Sequence, residues 1–224
     1  MPYRIDEINT GGYYHVYNRG VNKSNIFTNK RDCNQGLLSM NYYKFEKPPF
    51  KLSRFKALTT TEQTRLLSSL MSTEQKLVEI LCFVLMPNHF HFLLKQKLEN
   101  GISIFMRRFS NSYARYFNVS HNWIGHLFQG QFKIVEIESE AQLIHVSRYI
   151  HLNPYVSGLA AKDNLEQYLW SSYPDYLSKR LDRVDPTEIL NIFKSPLAYK
   201  EFTLNHADYA RELEFIKHKA IDTE

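Results

Sequence analysis

Two histidines separated by one residue are the first candidates for chemistry in this sequence. His89 and His91 lie in the apolar segment His89-Phe90-His91-Phe92, which is typical of a β-strand. Because side chains alternate across a strand, both imidazoles project to one face and both phenylalanines to the other. Two adjacent imidazoles can share one divalent cation. The same spacing also occurs at ordinary polar positions on a half-exposed strand, so the pair alone leaves both interpretations open.

A predicted helix carries the second set of candidate residues. Residues 139–142 have the form of a capping box, in which a Ser and a Gln satisfy free backbone amides at a helix start. Pro154 disfavours helical geometry at the residue before it, so the last helical turn is expected to end there. Side chains four residues apart share a face, so His145, Tyr149 and Asn153 form one stripe. If that stripe meets the two histidines, a phenol nucleophile and an amide oxygen reach a metal site together; without them, Tyr149 is one of 15 tyrosines and Asn153 caps a helix.

Composition favours a folded protein with a polyanionic partner. The chain has 224 residues, enough for one domain or for a core domain with an appendage, and its net charge is +5. Its 15 tyrosines and 15 phenylalanines could fill a core and could also stack on unpaired bases. The two cysteines form no CxxC motif, and the sequence shows no signal peptide and no run of about 18 apolar residues. We therefore expect a cytoplasmic protein without a membrane segment.

The rest of the sequence alternates predicted strands and helices. Apolar periodicity and turn residues predict a strand at 13–18, a helix at 30–45, strands at 77–85 and 89–94, a helix from 102 to about 118, a strand at 127–137 and a helix at 139–153. A stretch with two prolines and three consecutive threonines predicts a peripheral insertion, placed at 46–76. Short helices are expected after residue 160.

Basic and amide side chains on these elements are candidate contacts to nucleic-acid phosphates. The candidates are Arg19, Arg107, Arg108, Asn111, Arg115, Lys133 and Arg148. Each alone is also typical of a solvated surface charge, whereas together they follow the elements expected to flank the histidines and the helix stripe. The apolar side of the helix after residue 101 holds Tyr113 and Tyr116, which we therefore expect to be buried.

Five strings in this sequence resemble those of the HUH single-tyrosine transposases, and especially of the REP-associated tyrosine transposases. They are GGYYHVYNRG at 11–20, LMPNHFHFLL at 85–94, GHLFQGQFK at 125–133, RYIHLNP at 148–154 and WSSY at 170–173. The strings occur in the family's order and cover the chain from about residue 11 to residue 173. The insertion and the C-terminal region carry less of this resemblance.

The resemblance implies a role for each candidate in the centre. His89 and His91 would bind a divalent metal, and Tyr149 would be the nucleophile. Asn153 would supply a third metal ligand, at a position where some relatives have Gln. The chain departs from the family at Gln131, where many relatives have Arg. One phosphate contact is therefore missing, with a lysine two residues later as a partial substitute.

The implied activity is metal-dependent cleavage and strand transfer on single-stranded DNA, with palindromic or hairpin DNA as the expected substrate. A tyrosine hydroxyl, whose pKa is ordinarily about 10, is a weak nucleophile at pH 7, so the reaction requires Mg²⁺ or Mn²⁺ to polarise the phosphate. Attack on phosphorus would leave a 5′-phosphotyrosine and a free 3′-hydroxyl. Because the linkage retains the bond energy, no small-molecule cofactor is expected.

The implied fold is α+β, a ferredoxin-like antiparallel sheet of four to five strands with helices packed on one face. The catalytic domain is expected at 1–160 and a small C-terminal helical extension at 161–224, in a monomer or a homodimer. Two alternatives stay open: a DNA-binding protein of the same family that no longer cleaves, and an unrelated metal-dependent nuclease that leaves Tyr149 without a role. Only the transposase hypothesis requires a covalent protein–DNA adduct.

Overall fold

A four-stranded sheet forms the centre of the computed structural model, which describes residues 8–72, 75–178 and 182–211. The strands are β1 (Tyr13–Arg19), β2 (Val78–Met86), β3 (His89–Gln96) and β4 (Lys133–Ile137). They lie in the order β2-β3-β1-β4, and every neighbouring pair is antiparallel. The predicted α+β, ferredoxin-like architecture is confirmed.

Helices fill the connections between the strands and follow the last one. They are α1 (Lys30–Tyr43), α2 (Leu52–Lys56), α3 (Thr60–Ser72), α4 (Gly101–His121), α5 (Glu140–Val156), α6 (Tyr173–Ser178), α7 (Thr187–Leu190) and α8 (Pro196–Leu204). Short 3₁₀ segments span Val21–Lys23 and Lys162–Gln167. No helix within the described residues is long and apolar enough to cross a membrane.

α1 and α4 cover one face of the sheet. Alternate residues of β3 pack there, and the rings of Phe90 and Phe92 meet that of Phe109 on α4 at centroid distances of 5.3 and 5.2 Å. Tyr113, on the same side of α4, is fully buried. The apolar side that periodicity predicted for this helix therefore faces the sheet.

α5 covers the opposite face, which corrects the expectation that the helices pack on one face only. It contacts β2, β3 and β4, and its residues Leu143 and Ile150 are buried. The physical reason lies in β2, where residues 80–86 are all buried. A continuously apolar strand has no side that can face water, so both faces of the sheet need cover.

α5 begins as predicted but ends later. Ser139 Oγ accepts a hydrogen bond from the Gln142 amide at 3.2 Å, as the capping box predicts. The Gln142 side chain, however, accepts from the amide of Glu138 rather than from that of Ser139. The helix also continues through Pro154 to Val156, because a proline in the last turn removes only one backbone donor.

α4 and β4 also differ from their predicted bounds. α4 continues to His121 and ends where Asn122 adopts a left-handed backbone conformation. β4 begins at Lys133 instead of residue 127. The residues before it touch the chain next to β1 through an isolated bridge between Gly20 and Phe128, which is too short to extend the strand.

The predicted insertion at 46–76 is helical. α2 and α3 pack beside the end of α1 around a small core of their own, formed by Tyr42, Leu52 and Phe55. Residues 73–74 of the insertion lie outside the described residues. The insertion stands next to α1 and α4, on the face of the sheet opposite α5.

The expected C-terminal helical extension is present as α6, α7 and α8, and its residues 179–181 and 212–224 lie outside the described residues, as do residues 1–7. The extension packs on the back of α5 through a buried polar network. His151 contacts the Tyr199 hydroxyl at 2.7 Å and the Ser172 hydroxyl at 2.8 Å. The Tyr199 hydroxyl also lies 3.1 Å from that of Ser147. The domain boundary at residue 160 stays a prediction.

Candidate functional site

His89 and His91 lie side by side on β3. Their ring centroids are 5.0 Å apart, and the rings are nearly perpendicular. His91 is 6% exposed, whereas His89 is half-buried at the start of the strand. The prediction that both imidazoles share one face of the sheet is confirmed.

The Nδ1 atom of each histidine is hydrogen-bonded to a neighbouring side chain. Nδ1 of His91 lies 2.9 Å from Nε2 of His15 on β1, and Nδ1 of His89 lies 2.6 Å from Oδ1 of Asn88. Because an amide oxygen can only accept, His89 Nδ1 carries the proton of that hydrogen bond. In the neutral ring of His89, Nε2 is then the basic nitrogen.

His15 and Tyr17 complete the cluster, and the sequence analysis missed both. The ring of His15 stacks on that of His91 at 5.0 Å, and the ring of Tyr17 stacks on His91 at 5.5 Å. The pairing of β1 with β3 sets Tyr17 directly opposite His91. The two residues alternate on β1 as the histidines do on β3, so the strand pattern contained the signal. The pairing register that brings the strands together was the missing information.

Burial keeps the inner imidazoles uncharged. It lowers the pKa of His91 well below its ordinary value, and charge repulsion from His15 and His89 adds to that effect. Burial also lowers the pKa of His15 to about 4. Both rings are therefore neutral at pH 7, and the bond between them joins the N–H of one to the bare nitrogen of the other. Neutral imidazole is the form that ligates metals.

α5 brings Tyr149 over this cluster. The residue is 52% exposed, yet its ring edge lies against His91 and His15, at centroid distances of 5.5 and 6.0 Å. Tyr113 and Tyr116 lie across the sheet on α4, where the first is fully buried and the second is half-buried with its hydroxyl bonded to Asp32. Tyr149 thus combines access from solvent with contact to the histidines.

The other members of the predicted helix stripe have different surroundings. Asn153 is buried, and its Nδ2 donates to the carbonyl of Tyr149 at 2.9 Å. His145 contacts Arg148 and the ring of Phe202 on α8. The stripe therefore delivers Tyr149 to the histidines as predicted, whereas His145 points to the C-terminal extension.

The donor atoms at this site are of the types that bind a divalent cation. His91 is neutral, and the Nδ1 atoms of His89 and His91 are held by a partner, which is how metal-ligating histidines are normally oriented. Asn153 has its amide nitrogen on the helix backbone, so Oδ1 is the atom that could ligate. Across the described ranges there is no group of three or more His, Cys, Asp or Glu that could hold a metal ion. A cation here would therefore need the amide oxygen or water as well.

Residues 51–153 match the family model described as "Transposase IS200 like". Over these residues the chain is similar to the IS200-like transposases. The match confirms the resemblance to the single-tyrosine transposases, and it contains both histidines of β3, Tyr149 and Asn153. It begins after β1, so His15 and Tyr17 lie outside it.

Other comparisons give distant similarities. No curated protein matches this chain. A solved structure of a REP-associated tyrosine transposase bound to a REP hairpin is 17% identical over 84% of this chain and 93% of that chain, with a TM-score of 0.47. The tRNA(His) guanylyltransferase of Saccharomyces cerevisiae is 12% identical over 92% of this chain and 81% of that one, with a TM-score of 0.35.

Two of the predicted phosphate contacts lie in an open cleft beside His89. Arg19 and Lys133 line it together with Lys23, and no carboxylate is among the described residues that form its walls. Arg19 Nε is hydrogen-bonded to Gln129 Oε1. The ammonium of Lys133 stands over the ring of Tyr17 at 6.0 Å, so the cleft opens onto the cluster of rings.

The remaining predicted contacts lie elsewhere. Arg107, Arg108, Asn111 and Arg115 are on α4, across the sheet from Tyr149, so the expectation that they flank the chemical centre is wrong. Periodicity shows which side of a helix is buried but not which face of the sheet receives it. Arg148 stacks on Phe202 at 4.5 Å and lies toward α8. Whether these residues contact DNA stays a prediction.

Proposed function

We propose that this protein is a metal-dependent single-stranded DNA endonuclease and strand transferase that acts through a 5′-phosphotyrosine on Tyr149. The observation that carries the proposal is the contact between the exposed ring of Tyr149 and the buried, neutral imidazole of His91. The similarity of residues 51–153 to the IS200-like transposases supports DNA as the substrate.

The covalent step uses the hydroxyl of Tyr149 as the nucleophile. Its oxygen attacks the scissile phosphorus, a new O–P bond forms, and the bond from phosphorus to the 3′-oxygen breaks. The proton lost by tyrosine is balanced by the proton gained on the departing 3′-hydroxyl. Attack by another 3′-hydroxyl on the phosphotyrosine reverses these bonds and joins a new strand, so no energy source is consumed.

His89, His91 and Asn153 are the residues that would hold Mg²⁺ or Mn²⁺. When bound, the cation supplies charge stabilisation to the phosphate oxygens. The protein's own contribution is to keep the imidazole of His91 neutral by burial and to hold Asn153 against the backbone of Tyr149. One helix turn thus joins the nucleophile to a candidate ligand.

His15 acts as a positioning residue in this proposal. Its Nε2 engages Nδ1 of His91, which sets the orientation of the imidazole and directs Nε2 of His91 as the ligating atom. Tyr17 stacks on both rings and excludes water from that side.

The cleft beside His89 is the proposed entry for the DNA strand. Arg19, Lys23 and Lys133 place positive charge there without a compensating carboxylate in the described lining, which suits a phosphate backbone. We expect the substrate to be a palindromic or hairpin DNA with an unpaired segment at the cleaved position. The cytoplasmic location and the monomeric or dimeric state are expectations of the same proposal.

The test is a covalent trapping assay that follows the correct DNA end. Single-stranded and hairpin oligonucleotides labelled at the 3′ end are incubated with the protein and Mn²⁺ and run on a denaturing gel, because the 5′-phosphate fragment stays on the tyrosine. The wild-type protein should retain label, and Tyr149→Phe should retain none. Tyr17→Phe is the matched control, since it removes a hydroxyl from a ring in the same cluster.

Two results would overturn the proposal. Label retained by Tyr149→Phe would transfer the nucleophile to another residue. Absence of an adduct and of cleavage in the wild-type protein, with DNA binding intact, would instead support a family member that binds DNA without cutting it.

A further inference from the structure

A second cleft lies between α4 and the insertion, on the face of the sheet opposite Tyr149. Its walls come from α4, α1 and the start of α2. Its lining includes five cationic side chains: Lys51, Lys56, Arg107, Arg108 and Arg115. No carboxylate belongs to the lining within the part of the chain that the structure describes. We refer to it as the α4 cleft.

Two of these cations are held in place by neutral partners. Arg108 donates to the carbonyl of Glu46 at 2.8 Å, and Lys56 donates to Gln35 Oε1 at 2.8 Å. Lys56 also stands over the ring of Tyr116. Because carbonyls, amides and rings carry no net charge, these contacts fix the cations without cancelling their positive charge. An anion that enters the cleft therefore meets positive charge that these contacts do not cancel.

The other cations extend into the open cleft. Arg107 and Arg115 are exposed, and within the described ranges neither makes an ion pair. With Asn111 they follow a four-residue spacing along one side of α4, over about 12 Å of helix. One DNA strand places a phosphate every ~3.4 Å of its axis, so this stripe matches roughly three to four phosphates.

We infer that the α4 cleft binds the phosphate backbone of DNA that flanks the cleaved position, with the insertion as its second wall. Lys51, at the start of α2, and Lys56 face the α4 stripe across the cleft. The insertion therefore has a function, which is to convert one charged helix side into a two-walled groove. The identification of the polyanion as DNA rests on the proposed function, whereas the binding site stands on its own charges and geometry.

Salt dependence of DNA binding tests this site. Binding is measured in EDTA, so that the DNA stays whole, with a 20-base-pair duplex and with a 20-nucleotide single strand over a range of salt concentrations. The double variant Arg107→Gln and Arg115→Gln should bind at least about tenfold more weakly at low salt. Its log–log salt slope should flatten by about 1.8 if the ligand is duplex and by about 1.4 if it is single-stranded.

Matched variants distinguish binding in the α4 cleft from a general effect of net charge on DNA affinity. Lys97→Gln with Lys194→Gln removes the same net charge at exposed positions outside the cleft and should leave the slope nearly unchanged. Lys51→Gln should weaken binding in the same direction as the α4 variants. An unchanged slope in Arg107→Gln with Arg115→Gln, or an equal change in the control pair, would overturn the inference. Because adducts are not measured, failure here is distinct from failure of Tyr149 as the nucleophile.

Discussion

The two faces of the central sheet differ in charge: one carries neutral imidazoles and the other carries a cluster of cations. The face under α5 gathers His15, Tyr17, His91 and Tyr149 into a ring cluster whose imidazoles are kept neutral by burial. The face under α1 and α4 leads to a cleft whose cations remain solvated. Ligating a metal and presenting a nucleophile require uncharged donors in a fixed arrangement. Holding a polyanion requires positive charges that no carboxylate has cancelled before the ligand arrives.

Under the proposed function, this separation would let one small sheet serve both tasks. Covering both faces of the apolar β2 and β3 keeps the two environments apart by the thickness of the sheet. The variants below should therefore affect cleavage on one face and DNA binding on the other.

The largest expected effect is the loss of cleavage in His91→Ala. Removing one ligand from a two-histidine set should reduce the rate of cleavage in Mn²⁺ by at least about 100-fold, because the phosphate loses charge stabilisation in the transition state. His126→Ala is the matched control, since His126 is exposed and remote from the cluster. DNA binding in EDTA should persist. Equal cleavage by both variants, each shown to be folded, would place the chemistry elsewhere.

A smaller effect, a loss of metal affinity, is expected for His15→Phe. Phenylalanine retains a ring over His91 but lacks the nitrogen that engages Nδ1. Loss of such a second partner typically weakens metal binding about 10- to 100-fold. Titration calorimetry with Mn²⁺ measures this directly, without any cleavage. His15→Gln, which can again hydrogen-bond Nδ1, should recover part of the affinity. An affinity equal to that of the wild type would limit His15 to packing.

A substitution in the buried polar network behind α5 should lower the free energy of unfolding. Tyr199→Phe removes the hydroxyl that meets His151 and Ser147 in a buried network. Leaving buried polar atoms without a partner should lower the free energy of unfolding by about 1–3 kcal/mol in urea titrations. Tyr209→Phe is the control, because Tyr209 is 62% exposed. If both substitutions have the same effect, the network does not hold the C-terminal helices to α5.

Asp32, which lies on the basic face, should make a pH-dependent contribution to the free energy of unfolding. Burial acts to raise its pKa, but hydrogen bonds from Thr28, His121 and Tyr116 outweigh this and lower the pKa below its ordinary value. A carboxylate with a lowered pKa stabilises the fold above about pH 4 and loses that contribution as the pH falls through its folded-state pKa. Urea titrations at pH 7 and pH 3 should show Asp32→Asn less stable than the wild type at pH 7, with a smaller difference at pH 3. A difference that does not shrink would assign the loss to packing.

The sequence was informative wherever the relevant interaction is local. The alternation of His89 with Phe90 predicted a shared face, and the spacing along α4 predicted the buried side of that helix, although Tyr116 is only half-buried. The contact of His15 with His91 was not predictable in this way, because it depends on the register between strands about 75 residues apart in the chain. The position of the α4 arginines was missed for a similar reason, since a helix's buried side does not specify which face of the sheet it covers.

The most direct test of the account is identification of the residue that carries DNA in the trapped adduct. After nuclease treatment and trypsin digestion, mass spectrometry should find a nucleotide phosphate on the peptide 149–162. Fragmentation should assign it to Tyr149 and not to Tyr155, which lies in the same peptide and is buried. A nucleotide on Tyr17, or on any other residue, would contradict the assignment of Tyr149 as the nucleophile.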